Sequence, residues 1–245
     1  MTALGVTLRE LPARPAGLTS CVAYLQEDPG RMASRPISVR SLQKFRDSLF
    51  HSPGRELEMR MLWRESLATA CCARLLAQVM NFDAPLLTGG GLLHRLSEVL
   101  ALRSLADAEF RSGQRLLGPV MQELAAARDE ALVTRAIREW TLTDPLRDLL
   151  LQWRQDHSST SSSEVAKVLA VAQVLGFEHV HAGRSTPFAP EAACAELHFP
   201  LPILEQVRAN SAGLELLLLR AAAPMGPTAI VPSRPPAAEV ALLPA

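Results

Sequence analysis

Residues 56–80 read ELEMRMLWRESLATACCARLLAQVM, and this stretch decides the fold class. Leu57, Met61, Ala68, Cys72, Leu75 and Val79 recur at helical spacing and share a broad apolar face. Few positions are β-branched, so little rotamer freedom is lost in a helix. A single helix over Glu56–Met80 is predicted.

Upstream, Leu18, Val22 and Leu25 follow Pro15, and Val39, Leu42, Phe45 and Leu49 follow Ser38, which has the chemistry of an N-cap. Two short amphipathic helices are therefore expected before Pro53-Gly54. Downstream, Asp83 can cap a helix opening at Ala84-Pro85, where the missing proline N–H is not needed. Gly89, Gly90 and Gly91 then interrupt good helix-forming sequence, at a cost of about 1 kcal/mol each relative to alanine. Either the helix restarts after them or their bare backbone permits a close helix crossing. Close packing is the preferred reading, because Leu92, Leu93, Leu96, Val99 and Leu100 carry an apolar stripe straight on.

Further helices are expected over Pro119–Arg128, Glu130–Trp140 and Pro145–Asp156, the last capped by Asp144. Residues 157–163, HSSTSSS, form a polar break, and Ser161 with Glu164 has capping-box spacing for a helix ending near Gly176. Residues 177–189 read as irregular, Pro190 opens a short helix, and Pro202 opens a longer one to about Arg220. From Pro224 onward, repeated Pro and Ala with few large side chains suggest a frayed tail. The resulting expectation is an all-α, multi-helix bundle with an N-terminal helical segment (1–52), a main helical domain (53–220) and a flexible tail (221–245).

Composition narrows the functional classes. The 245 residues are 48% hydrophobic, enough for a sizeable core, and 25 basic side chains balance 25 acidic ones. No net field favours nucleic acid or an anionic membrane. Lys44 and Lys167 are the only lysines, an arginine bias consistent with a GC-rich coding sequence. Cys21, Cys71, Cys72 and Cys194 show no C-x-x-C pair and read as packing residues. The first fifteen residues lack an apolar signal-peptide core, and the richest apolar stretch, 214–223, is broken by Glu215 and Arg220. A cytoplasmic location is the default expectation. The sequence contains no G-x-S-x-G, P-loop, G-x-G-x-x-G or H-E-x-x-H.

Three stretches, taken in order, carry a resemblance: Leu62-Trp-Arg-Glu-Ser-Leu-Ala-Thr-Ala70, Gly91-Leu-Leu-His-Arg95 and Arg138-Glu-Trp-Thr-Leu142. They resemble the HDOD family, a bacterial relative of the HD-domain metal-dependent phosphohydrolases, which shows W-R-H-S, G-L-L-H-D-I-G and W-x-L-P segments in this order. The likeness spans roughly residues 60–180, while Leu11-Pro12 and Asp28-Pro29 only loosely match a shortened N-terminal half. The resemblance implies an HD-like helical bundle and a role in bacterial signal transduction.

HD chemistry uses a histidine from one helix, an adjacent His-Asp pair and a later aspartate to hold a divalent metal that activates water. Here Glu65 stands at the first histidine, His94 is retained, Arg95 replaces the aspartate, and Gln173 falls where the later aspartate is expected. Two further family histidines align with Asp129 and Trp153. Arg95 removes an anionic ligand and adds a permanent cation. At about 4 Å and an effective dielectric of about 20, that cation repels a divalent ion by several kcal/mol. It can also turn towards solvent, in which case only a ligand is lost.

Glu65, His94, Arg95, Asp129 and Gln173 are thus the candidate residues of a vestigial pocket, with no catalytic residue, metal or cofactor assigned. His94 reads as a remnant ligand, a polar group in a small-molecule pocket or, preferably, a hydrogen-bonded core histidine. Glu65 is expected to be solvated rather than paired. Trp63, Trp140 and Trp153 read as core anchors, and the His179-x-His181 pair as part of a surface loop. The expected function is that of a non-catalytic signalling or scaffold protein acting through a protein partner. A divergent metal-dependent phosphohydrolase and a metal-independent nucleotide sensor in which Arg95 contacts phosphate are the alternatives.

Overall fold

The computed structural model describes residues 15–25, 36–113, 133–140, 142–155, 163–181, 191, 194–195 and 198–210. The described residues are all-α, with no strand among them. In chain order they form α1 (Leu18–Leu25), α2 (Pro36–Leu49), α3 (Glu56–Met80), α4 (Ala84–Leu93), α5 (Leu96–Ser112), a helical stretch at 133–139, α6 (Asp144–Gln155), α7 (Glu164–Val180) and α8 (Leu201–Asn210).

The helix predicted from residues 56–80 runs over that span, but it has no single apolar stripe. Leu57, expected on the apolar face, is 69% exposed, whereas both apolar and polar residues from Leu62 to Ala77 are largely buried. The reason is that α4 and α7 cover α3 from different sides, so the helix is buried nearly all round beyond its first turn. Asn81 ends α3 in the left-handed conformation (φ 59°). Its N–H closes on the Ala77 carbonyl, satisfying one of the terminal acceptors. Asp83 then caps α4, its Oδ1 accepting from the Leu86 N–H at 2.9 Å.

Two helices lie against the same turn of α3. A Cβ added at Gly91 would fall 2.5 Å from the Ala70 Cα, and one at Gly176 would fall 2.6 Å from the Thr69 nitrogen. Both neighbours are main chain, which cannot move aside as a side chain can. The glycine triplet therefore sits inside α4 and serves close packing. Gly89 faces the methyls of Leu146 and Gly90 faces Leu149 of α6, while Gly91 faces α3. At about 100° per residue, three consecutive helical positions look outward in three directions.

The same explanation corrects the expected end of α7. Gly176 does not terminate the helix, which continues to Val180. Its small size is required by the crossing, and its conformational freedom is not used. The helix is capped by Ser163, whose Oγ accepts from the Ala166 N–H at 3.3 Å, so Ser163, not Ser161, fills that role. Asp144 is likewise the first residue of α6, and Pro36 rather than Ser38 marks the start of α2.

The apolar stripe from Leu92 to Leu100 is continuous, but the helix is not. His94 Nδ1–H donates to the Gly91 carbonyl at 2.7 Å, taking an acceptor that an unbroken helix would give to the Arg95 amide. The chain turns at His94–Arg95, between α4 and α5.

The N-terminal helices share the core of the larger bundle. Leu18, Cys21 and Leu25 of α1 and Leu42, Phe45 and Leu49 of α2 join the same buried cluster as α3. Phe45 and Phe50 pack on Trp63 with ring centroids 6.1 and 5.3 Å away. Arg103 of α5 donates to the Ser48 and Leu49 carbonyls at 2.7 and 3.1 Å, closing the end of α2. Arg55 grips both Glu109 carboxylate oxygens and reaches Glu58 at 3.2 Å, tying α5 to the start of α3. Trp63, Trp140 and Trp153 are all buried, as expected of core anchors. The helix expected at 119–128 and the tail from 224 lie outside the described residues.

Substituting Gly91→Ala or Gly176→Ala should lower unfolding free energy in urea by about 3 kcal/mol or more, as backbone overlap must be relieved. Gly89→Ala meets only side-chain methyls, those of Leu146 at 3.4 Å and one of Val22 at 3.8 Å, and helix propensity offsets the crowding, so its effect should stay within about 1 kcal/mol. Equal effects at all three positions would contradict the crossing. Burial also raises the Cys21 and Cys72 thiols well above the ordinary range and Cys71 to about 12, the last despite Arg74 nearby. These thiols hold their protons at neutral pH. A thiol reagent at pH 8 should modify them only when the chain unfolds, and rapid native-state labelling would contradict the packing.

Candidate functional site

One turn before the double crossing, α3 presents Glu65, and the α4–α5 corner and the end of α7 converge on it. The geometry follows from chain direction. As the chain advances from Gly91 to Arg95, its contacts retreat along α3 from Ala70 to Glu65. From Gly176 to His181 they retreat from Thr69 to Glu65. Both helices run antiparallel to α3 here, and both leave it at the same carboxylate.

Glu65 is only 8% exposed, which corrects the expectation of a solvated side chain. Its Oε2 is paired with Arg95 Nη1, and its Oε1 accepts from His181 Nε2–H at 2.8 Å. Arg95 extends a second nitrogen to Glu98, three residues on along α5. The guanidinium thus lies between a buried carboxylate and a half-exposed one. It turns neither wholly to solvent nor to an empty centre. A charged carboxylate can remain inside the bundle because a permanent cation and an imidazole donor face it.

His181 is the residue that sequence reasoning missed. The H-x-H pair reads as a loop only if α7 stops near Gly176. With α7 running to Val180, His179 lies on the helix and His181 caps it, donating its main-chain N–H to the Phe177 carbonyl at 2.9 Å. Its ring stacks on Phe177 with centroids 4.1 Å apart. The i,i+4 spacing of Phe177 and His181 was the available signal, and it becomes meaningful only on a helix.

The remaining candidates divide. His94 is buried, with Nδ1 committed to Gly91 and its ring edge-on to Trp153 at 6.4 Å. Because a carbonyl only accepts, Nδ1 carries the hydrogen, and the preferred reading of a hydrogen-bonded core histidine describes it well. Gln173 is half-buried on α7, eight residues and about 12 Å of helix before His181. Asp129 lies outside the described residues.

The donor set does not fit the divalent metal of HD chemistry. Among the described residues no group of three or more His, Cys, Asp or Glu side chains could hold a metal ion. The Glu65 carboxylate is already paired with the Arg95 guanidinium, which a divalent cation would have to displace. What this arrangement can do is bind helices to one another through charge. No described helix is long and apolar enough to cross a membrane.

Glu65→Ala should cost about 2–3 kcal/mol of stability in urea, since two donors lose their shared acceptor. Glu98→Ala, at the solvent-facing side of Arg95, should cost under about 0.5 kcal/mol. Equally small losses would contradict a buried role for Glu65.

The HDOD domain model matches residues 41–156. No curated protein and no solved structure matches the chain. The match covers all three motif segments, including Glu65, His94 and Arg95, and stops short of Gln173 and His181 on α7. With the motifs in family order and joined in one all-helical core, residues 41–156 are similar to the HDOD domain family.

Proposed function

We propose that this protein is a non-catalytic bacterial signal-transduction or scaffold protein of HDOD type, acting by binding a protein partner. The observation that carries the reading is the pairing of Arg95 with Glu65, at the two positions where HD chemistry would require metal ligands. Hydrolysis of a phosphate ester in that chemistry needs a metal-bound water. Here the residues at two of the expected ligand positions are paired with each other, and the retained His94 is committed at Nδ1 to its own helix. What the family segment keeps is the bundle and its corner. Arg95 and Glu98 stand at that corner, within reach of solvent, while Glu65 is held beneath them. A partner would therefore read the outer face of the α4–α5 turn.

The engagement of Arg95 by two carboxylates also weighs against direct phosphate contact. A nucleotide would have to compete with Glu65 and Glu98 for the guanidinium and bring further negative charge beside them. A protein surface can instead contact the corner without breaking it.

The test is hydrolysis by the purified full-length chain of nucleoside triphosphates and cyclic dinucleotides in the presence of Mn²⁺. No metal-dependent turnover above the metal-only blank is expected. Turnover that depends on Mn²⁺ and disappears in His94→Ala would overturn the reading and restore the phosphohydrolase alternative.

A further inference from the structure

Glu65 meets two elements that are far apart in sequence: it is ion-paired with Arg95 at the α4–α5 corner and accepts from His181 at the end of α7. Each donor holds one carboxylate oxygen, so the orientation that suits one also sets the position available to the other. Glu65 itself has little room to adjust, being buried on a helix packed on several sides. Arg95 has an alternative partner in Glu98, which is half-exposed and reached from solvent. His181 is stacked on Phe177, and its main-chain N–H closes the last turn of α7 on the Phe177 carbonyl.

From this geometry we infer that Glu65 is a relay: the state of Arg95 at the exposed corner controls, through Glu65, the order of the last turn of α7. With the guanidinium in place, Glu65 is neutralised and held, and its Oε1 is presented to His181 Nε2–H. Without it, an uncompensated buried carboxylate must turn towards water, and His181 loses a fixed acceptor. Coupling of this kind is reciprocal, so loss of the His181 ring must loosen the corner in turn. The inference deepens the partner-binding reading, because a partner carboxylate competing with Glu98 for Arg95 would be felt at α7. The coupling itself needs no partner, so the chain alone tests it.

The experiment is amide hydrogen exchange on the full-length chain, comparing Arg95→Met, Glu98→Gln and His181→Ala with the parent. Arg95→Met is expected to raise exchange about tenfold or more at residues 177–181, with little change in the middle of α3. Glu98→Gln should leave residues 177–181 as they are. His181→Ala should raise exchange at 95–99, where the Val99 N–H bonds the Arg95 carbonyl at 3.1 Å. Unchanged exchange at 177–181 in Arg95→Met, or a uniform rise through α3, α4 and α7, would overturn the relay. If Arg95→Met does not fold, Arg95→Gln, which removes the charge and keeps a polar side chain at the corner, takes its place. A rise confined to 177–181 supports the relay, and an unaltered or uniformly raised profile overturns it.

Discussion

Two helices can bring their main chains against the same turn of a third only where side chains are missing from the contact. In this chain the shared turn is Thr69–Ala70, and the missing side chains are those of Gly91 and Gly176. Helix axes normally stand 8–10 Å apart because side chains separate them, and here main chain meets main chain. The rest of the bundle is built around that approach. Leu146 and Leu149 of α6 fill the space beside Gly89 and Gly90, and α1 lays Val22 across Gly89. Glycine in a helix costs about 1 kcal/mol relative to alanine, so four such positions inside α4 and α7 are a local penalty that the packing more than offsets.

The crossing also determines what can meet one turn away. Once Gly91 and Gly176 are seated, the chain geometry brings Arg95 and His181 to within reach of Glu65 without a further constraint. A carboxylate at that depth is unfavourable alone, and the two donors make it tolerable. The charges at the corner therefore follow from the fold and also reinforce it. Arg95 and Glu65 are complementary: the carboxylate alone would be a buried charge, and with the guanidinium it is paired.

Much of this was legible in the residues. The span of α3, the Asp83 cap of α4, the packing role of the glycine triplet and the burial of the three tryptophans follow from spacing and local chemistry. The misreadings share one cause, which is that local rules are overridden by tertiary contact. Gly176 has the composition of a helix stop, yet its neighbour is the Thr69 main chain, and nothing near it in sequence reveals that. His94 has an ordinary place in an apolar stripe, yet its ring takes the carbonyl that would continue the helix. Glu65 is charged and so reads as solvated, but its two donors come from 30 and 116 residues away. Pairings over such separations have no periodic signature in one chain.

The account rests on the claim that the centre of this HDOD-like segment is closed by its own ion pair. Diffraction from crystals of the full-length chain grown with Mn²⁺, recorded at the manganese edge, addresses that claim directly. The account predicts the Arg95 guanidinium between Glu65 and Glu98 and no anomalous peak within coordination distance of Glu65 or His94. A manganese peak on those side chains, with Arg95 turned away, would contradict it.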